Sequence, residues 1–359
     1  IGSNAGKGGQ TSAPYSSGGD NVAIGYNAFD AFTTGHSNVA VGKSALGSLT
    51  TGDYITAVGL AAGSNVTTGR FNTFYGYNAG GNSNASHVVA IGYNVYGSGA
   101  SNKSYGVYIG SNAGRYDTSG EATIAIGYNA VKCDSGGGNN PSSCIGIGNS
   151  ALSGITGQAR SNIGIGGSAL NNVINGEYNT AMGQSVGSTL TTGDNNVIIG
   201  YNADVSAAAG TNQIVVGQGA TGVGDNTAII GNSSVTDVYM GDNGSTWSTT
   251  SDGRLKENVE DWNVGLDAIN NLRIVSYNFK KDNPYKYNSE KKRQGIIAQE
   301  AQKVLPEMIK DDGEWLSANQ EPMIWALVNS VKELTEKNER LENKINDLEI
   351  FIMDKLGDK

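Results

Sequence analysis

The sequence repeats a short apolar run that ends in glycine. The repeated motif has the form Asn-x-Ala-Ile-Gly-x-Asn/Ser-Ala, with clear copies at 21–28, 38–45, 72–79, 123–130, 162–169 and 196–203. The glycine that closes each run recurs in steps of mostly 16–18 residues, at positions 2, 25, 42, 59, 76, 92, 110, 127, 148, 166, 183, 200, 217 and 231. A period of this length indicates stacked structural repeats.

Each repeat predicts two short strands joined by two turns. Within the motif, side chains such as Val22 and Ile24 point to one face of a strand, and Ala23 points to the other. The glycine predicts a tight bend in which a Cβ would clash, and Thr-Thr-Gly triplets predict the opposite turn. One repeat buries too little apolar surface to fold alone, so residues 1–235 are predicted to form a mainly β solenoid. The alternative is a disordered Gly/Ser/Asn-rich linker, against which the regular Val and Ile positions argue.

Composition changes abruptly near Ser251. Residues 1–250 hold 48 of the 53 glycines and only 7 Lys or Arg, whereas residues 251–359 hold 17 Lys or Arg and 21 Asp or Glu. The change predicts a small second domain at 251–322, preceded by a connector at 236–250.

Charge and hydropathy exclude several classes of partner. The formal net charge of −9 offers nucleic acid no electrostatic attraction. No stretch is apolar enough for membrane insertion, and no signal peptide is visible. Because the chain opens inside a repeat, we expect that a natural N-terminal region precedes it.

The last segment, 323–359, changes to a heptad pattern. The a positions are Ile324, Val331, Asn338, Ile345 and Ile352, and the d positions are Leu327, Leu334, Leu341, Leu348 and Lys355. This seam predicts a long coiled-coil helix, with an amphipathic helix on a globular core as the alternative. β-branched residues at a with Leu at d favour two strands in isolated peptides. The residues alone leave the choice between two and three strands open, and we expect Asn338 to set the register.

Ser251 and Lys256 are the candidate catalytic pair. A serine hydroxyl is a weak nucleophile until a base removes its proton, and lysine can replace histidine as that base. A lysine acts as a base only when it is neutral, which requires burial, and an assembled trimer core could bury it. Asp252, Arg254 and Asn258 are candidates for positioning or for oxyanion stabilisation. The spacing of the two residues alone favours the alternative, a surface turn that enters a helix with Ser251 or Asp252 near its N-cap. A second motif at 294–306 and the change in composition near Ser251 reverse that preference.

Cys133 and Cys144 flank an insertion in which the glycine step grows to 21 residues. The spacing is wrong for a zinc site and the chain has only two histidines, so we predict no metal and no cofactor. A disulfide across the insertion and two reduced thiols are both open interpretations.

Tyrosines recur directly after the repeat glycine, at positions 26, 77, 93, 128 and 201. They either face outward, where they could stack on sugar rings, or pack between the turns. We favour packing between the turns.

The repeat tract resembles the head repeats of trimeric autotransporter adhesins, the YadA-like head, and the similar repeats of phage tail fibres. The resemblance covers roughly residues 1–235 and lies in the tract Asn-x-Val/Ala-Ile-Gly-x-x-Ala. The period of 17 is longer than the usual turn of that family, which implies extended loops. The resemblance implies a parallel β-roll or β-helix wound by three chains. We therefore predict a three-stranded coiled coil at 323–359, because a dimeric coil would not match a trimeric solenoid in symmetry.

Two further tracts, 251–259 (SDGRLKENV) and 294–306 (QGIIAQEAQKVLP), flank an aromatic-bearing segment at 272–279. They closely resemble the intramolecular chaperone auto-processing domain that ends phage endosialidase tailspikes, many tail fibres and a neck appendage protein. The resemblance implies a small α+β domain that assembles the trimer and then cuts itself off. The family's cleavage point is immediately before the motif serine, here the Thr250–Ser251 bond, so the implied enzyme is a single-turnover serine auto-endopeptidase.

These features predict a homotrimeric phage tail fibre or host-surface adhesin. We expect it to be made in the host cytoplasm, to join an upstream virion or baseplate component, and to bind a host glycan or protein receptor outside the cell. One alternative is a tailspike that degrades polysaccharide, but the two Glu and ten Asp of residues 1–250 show no paired-carboxylate pattern. Another alternative is a fibre with an inactive, retained chaperone. A self-cleaving membrane-associated transcription factor shares the chaperone domain, but the solenoid does not resemble its DNA-binding part.

Overall fold

The computed structural model divides into two compact units, Ile1–Val238 and Tyr239–Lys359. The residues that it describes are 1–9, 16–81, 84–96, 104–117, 121–133, 141–235, 251–283, 289–311, 313 and 315–357. The predicted connector 236–250, which includes Thr250, lies outside the described residues.

The first unit is a parallel β-solenoid. Its described residues form thirteen strands of three residues each, paired in sequence order in one parallel sheet. The strands are β1 Val22–Ile24, β2 Val39–Val41, β3 Thr56–Val58, β4 Thr73–Tyr75, β5 Val89–Ile91, β6 Val107–Ile109, β7 Ile124–Ile126, β8 Ile145–Ile147, β9 Ile163–Ile165, β10 Thr180–Met182, β11 Val197–Ile199, β12 Ile214–Val216 and β13 Ala228–Ile230. Val22 pairs with Val39, one glycine step away, and Ile124 pairs with Ile145 across the long step. The glycine period therefore sets the strand register, and the predicted solenoid is confirmed.

Each coil contributes one strand to the described structure, not the two that we predicted. After the first strand, Asn27 and Phe29 take left-handed conformations with φ of 52° and 47°. Ser44 and Leu46 do the same one coil later. A β-strand needs negative φ at every residue, so this segment is a turn.

The middle residue of each strand points into the coil. Ala40, Ala57 and Ala90 are fully buried, and Phe74 and Tyr108 fill the same position in wider coils. The flanking Val and Ile residues face outward, so that Val22 is 46% and Ile24 is 39% exposed. The side chains that flank the buried middle residue of β1–β13 thus form an outer face that is mostly Val and Ile, and we call it the outer sheet face.

A buried amide ladder runs beside the strands. Asn179 donates from its backbone N–H and from Nδ2 to Asn162 Oδ1, at 2.9 and 3.0 Å. Asn196 donates in the same way to Asn179 Oδ1, at 3.0 and 2.9 Å. Because each buried amide is paired with the next coil, the ladder holds the coils in register without leaving polar groups unsatisfied.

Cys144 occupies this same ladder position, directly before strand β8. Both cysteines are buried as thiols rather than joined as a disulfide. The Cys144 thiol lies 3.0 Å from the Ala159 carbonyl oxygen, where an asparagine of the ladder would place its amide. Burial raises the pKa of Cys144 to about 12.

The tyrosines that follow the repeat glycine are about half exposed, at positions 26, 77, 93, 128 and 201. Our preference for packing between turns is therefore wrong. Tyr77 and Tyr93 do stack across neighbouring coils, with ring centroids 5.2 Å apart, but both remain half exposed.

The second unit is small and mixed. Helix α1 (Leu266–Asn271) precedes an antiparallel pair of β14 (Val275–Tyr277) and β15 (Arg293–Gly295), helix α2 (Ala298–Ala301), and a second pair of β16 (Ile309–Asp311) and β17 (Leu316–Ala318). Helix α3 (Glu321–Gly357) ends the unit. The predicted order of solenoid, small domain and long helix is confirmed.

Helix α3 packs on its own unit only near its beginning. Asn329 donates to the carbonyl oxygens of Trp262 and Val264, and Ala326 and Ser330 are buried. Beyond this region the heptad seam is uncovered: Leu341 is 55% exposed and Leu348 is 58% exposed. Within the described ranges, no helix combines the length and apolarity needed to cross a bilayer.

Candidate active site

The candidate site is a short turn at the start of the second unit's described residues. A single turn of 3-10 helix spans Gly253–Leu255, between Asp252 and Lys256. Asp252 caps this turn, because its carboxylate accepts a hydrogen bond of 2.9 Å from the backbone N–H of Arg254. Lys256 then leaves in extended conformation, with φ −113° and ψ 140°.

This turn brings Ser251 and Lys256 together. Lys256 Nζ lies 2.6 Å from Ser251 Oγ, which is within hydrogen-bonding distance. A nucleophile and its base must share such a contact before a proton can pass between them. The geometry is compatible with a serine–lysine dyad, although both side chains are exposed in the single chain.

Asp252 and Arg254 form an ion pair beside the dyad. Arg254 Nη2 lies 2.6 Å from Asp252 Oδ2, and Arg254 Nε lies 3.1 Å from both carboxylate oxygens. The Arg254 hydrogen bonds lower the pKa of Asp252, and this carboxylate raises the pKa of Arg254. Both groups therefore stay charged at neutral pH, and their ion pair stabilises the turn.

Asn258 is the predicted positioning residue that the structure does not bring to the pair. It is exposed and lies in a left-handed conformation with φ of 53°. Among the described residues, its side chain makes no hydrogen bond to Ser251 or Lys256. Its left-handed backbone conformation turns the chain two residues after Lys256.

Apolar side chains close to the pair in the sequence are exposed. Leu255 is 76% and Val259 is 79% exposed. Large exposed apolar residues mark a contact surface where they lie together. No group of three or more His, Cys, Asp or Glu in the described part of the chain could hold a metal ion.

Two surface features of the solenoid escaped the sequence reasoning. One is that the Val and Ile residues face outward, and the other is a column of aromatic rings at Tyr54, Phe71, His87 and Tyr105. Both recur with the repeat period, so the spacing of these residues could have revealed them.

Comparison with known proteins bears on this part of the chain. A family model described as Chaperone of endosialidase (Peptidase_S74) matches residues 251–310, so its first matched residue is Ser251. Myelin regulatory factor homolog 1 of Caenorhabditis elegans is 31% identical over 103 residues, which is 27% of this chain and 11% of that protein. The chain thus spans about a tenth of this relative's length. Residues 251–310 form a domain of the endosialidase chaperone type.

Proposed function

We propose that the chain is a trimeric phage tail fibre or tailspike whose C-terminal chaperone assembles the shaft and then releases itself by autoproteolysis at Thr250–Ser251. The observation that carries the proposal is the 2.6 Å contact between Lys256 Nζ and Ser251 Oγ, at the first residue of the chaperone match. A serine–lysine pair at the start of this domain would supply a nucleophile and its base, which an ordinary exposed turn does not supply.

The proposed reaction has two steps. Neutral Lys256 takes the hydroxyl proton of Ser251 as Oγ attacks the carbonyl carbon of Thr250. The C–N bond breaks, the proton passes to the Ser251 nitrogen, and Thr250 is left as an ester on Oγ. Water then adds to the ester, giving a Thr250 carboxylate and restoring the Ser251 hydroxyl. Because the two products separate, each chain reacts once.

Assembly would switch this chemistry on. An exposed lysine is charged at neutral pH and cannot accept a proton, whereas burial favours the neutral form. The exposed apolar residues Leu255 and Val259, which are close to Lys256 in the sequence, would help to bury it once partner chains pack there. The chaperone would then cut only after correct trimerisation.

Two uncovered apolar surfaces support a homotrimer. The outer sheet face runs along all thirteen strands with its Val and Ile side chains partly exposed. The heptad seam of α3 is exposed from Val331 onward. A monomer would leave both in water, whereas association of three copies would bury each of them.

The shaft would act on the outside of the virion. We propose that an upstream virion or baseplate component holds it and that it contacts a glycan or protein receptor on the host. Production in the host cytoplasm fits the buried thiols of Cys133 and Cys144, which need no oxidising compartment.

The test compares the full chain with Ser251→Ala on a denaturing gel and by intact mass. We expect the unmodified chain to yield residues 1–250 and 251–359 as separate fragments, whereas Ser251→Ala stays whole. Light scattering would show both proteins as trimers before cleavage. An unmodified chain that is folded and trimeric but stays whole would contradict autoproteolysis and leave a fibre with a retained chaperone.

A further inference from the structure

Four aromatic rings from successive coils form a column on the solenoid surface. The members of this aromatic column are Tyr54, Phe71, His87 and Tyr105. Neighbouring ring centroids lie 5.1, 5.0 and 5.0 Å apart, with interplanar angles of 5°, 25° and 19°. Tyr54, Phe71 and Tyr105 are 51%, 50% and 65% exposed. The rings therefore overlap as offset stacks and present their outer parts to solvent.

The backbone at these four positions is strained. Their φ values are 59°, 59°, 61° and 70°, in the left-handed region that bulky side chains disfavour. Other coils fill the equivalent left-handed position with small or polar residues, at Asp20, Ser37, Ala122, Ser143, Ser161, Asn195, Asn212 and Asn226. The solenoid therefore does not need aromatic rings at this position. Backbone strain that bulky residues add in only a few coils points to a function there.

The aromatic column is not a general part of the subunit interface. The outer sheet face extends through β1–β13, whereas the column is confined to four consecutive coils. A subunit interface that repeats along the whole shaft would need the same kind of edge residue in every coil. The one other aromatic residue at this position, Tyr178, lies between Ser161 and Asn195 and has no ring above or below it.

We propose that the aromatic column binds an uncharged polysaccharide whose chain runs along the shaft. The proposal rests on the fibre function proposed above and names the chemistry of its receptor. Because each ring overlaps its neighbours, the column presents the outer edges of its rings, 5.0–5.1 Å apart, and the apolar C–H groups of successive sugar residues can pack along these edges. Sugar hydroxyls can pair with the half-exposed Arg70 and with the hydroxyls of Ser86 and Ser104 next to the column.

Charge decides against a polyanion. Nucleic acid also stacks on aromatic rings, but it needs a positively charged groove along its backbone. Beside the column, buried Asp53 lies 3.3 Å from Arg70 Nε and 3.5 Å from His36 Nε2, so its carboxylate offsets the positive charge of the Arg70 guanidinium. Residues 1–250 carry 12 Asp or Glu against 7 Lys or Arg. An uncharged polysaccharide is not repelled by this excess of negative charge.

The test is affinity electrophoresis of the trimer purified after expression of the full chain, in gels that contain laminarin, galactomannan, xyloglucan or dextran, with heparin as the anionic comparison. The variant is Tyr54→Asn/Phe71→Asn/Tyr105→Asn, because asparagine occupies this left-handed position in other coils. Tyr178→Asn is the matched control, since it removes an exposed tyrosine with φ of 59° that stands outside the column. We expect retardation by at least one neutral polysaccharide, weakened more than about tenfold in the triple variant and unchanged in the control.

Several outcomes would overturn the proposal. They are no retardation in any neutral gel, equal retardation of the triple variant, or stronger retardation in heparin. A triple variant that is monomeric at a concentration where the Tyr178→Asn control is trimeric, without sugar binding, would instead assign the column to the subunit interface. Cleavage and trimer formation, read on the same samples, test the proposed function separately from the sugar site.

Discussion

The contact between Lys256 and Ser251 depends on the cap that Asp252 supplies. One turn of 3-10 helix is too short to be stable by itself, and its first N–H groups need an acceptor. The Asp252 carboxylate accepts from the Arg254 backbone and also binds the Arg254 side chain. The geometry of the dyad thus rests on a residue that does not touch the reacting atoms.

We predict that Asp252→Ala slows self-cleavage by about fivefold, because the turn loses its cap and the lysine leaves the serine more often. Asp252→Asn should stay near the unmodified rate, since its side-chain oxygen still accepts from the Arg254 N–H. The measurement is the cleaved fraction against time on a denaturing gel. Equal rates for Asp252→Ala and the unmodified chain would show that the cap does not position the dyad.

Cys144 offers a second prediction at the residue scale. Burial raises the pKa of its thiol from the ordinary value of 9.0 to about 12. Because the folded value is the higher one, the stability linked to this thiol is present below pH 9 and is lost as the pH rises toward 12. Only the thiolate reacts with alkylating agents.

In the Cys133→Ala variant, which isolates Cys144, we expect iodoacetamide at pH 9 to react at least about a hundredfold more slowly with the folded shaft than with the urea-unfolded chain. Mass spectrometry against time gives both rates. Rapid labelling of the folded shaft would mean that the thiol is open to solvent and is not part of the buried ladder.

At the scale of elements, the repeat glycines allow the coils to stack closely. Gly166 has φ of 130°, and a Cβ there would clash with the Gly183 carbonyl oxygen of the next coil. Its neighbour Gly167 has an ordinary φ, and a Cβ there would meet only Gln184 Cγ at 3.8 Å. The two glycines are adjacent in the sequence, but only Gly166 combines a positive φ with a backbone contact that excludes a side chain.

We therefore expect Gly166→Ala to destabilise the shaft by about 3 kcal/mol, because it combines left-handed strain with a backbone clash. Gly167→Ala is the matched control and should change the free energy of unfolding by less than about 0.5 kcal/mol. Denaturant unfolding of both variants, followed by circular dichroism, gives the comparison. Similar losses for the two variants would contradict the close stacking of coils at the repeat glycine.

The sequence predicted the first strand of each coil but not the turn that follows it. Strand register follows directly from the glycine spacing, which is a local property of the chain. No comparable sequence signal predicts the left-handed conformations of Asn27 and Phe29, because phenylalanine is rarely found in that conformation. Ser251 and Lys256 were found because they lie within one short motif. The aromatic column was missed because its stacking appears only when residues from separate coils are aligned.

At the scale of the whole molecule, the single chain leaves three surfaces exposed that the proposed trimer would cover. It leaves the outer sheet face and the α3 seam in water, and it leaves the dyad exposed. Heptad spacing could be read from the sequence, but the number of helices could not, because the a and d residues alone favour two strands. The proposed link between assembly and cleavage can be tested on α3, which lies far along the chain from Ser251.

The final prediction concerns Leu341→Asp/Leu348→Asp, which places two charges in the seam. We expect this variant to lose the trimer and to reduce the cleaved fraction at least about tenfold, because unpaired charges in a coiled-coil core prevent association. Asn343→Asp/Ile350→Asp is the matched control. It adds the same number of acidic residues to the same helix at outward f positions, so it should remain trimeric and be cleaved like the unmodified chain.

Light scattering and a denaturing gel on the same samples read association and cleavage together. If the seam variant is monomeric and uncut while the control is trimeric and cut, assembly is a condition for the chemistry. If the seam variant is monomeric yet cut, then Ser251 and Lys256 react within one chain. The 2.6 Å contact would in that case be sufficient by itself, and burial by partner chains would have no part in activating the lysine.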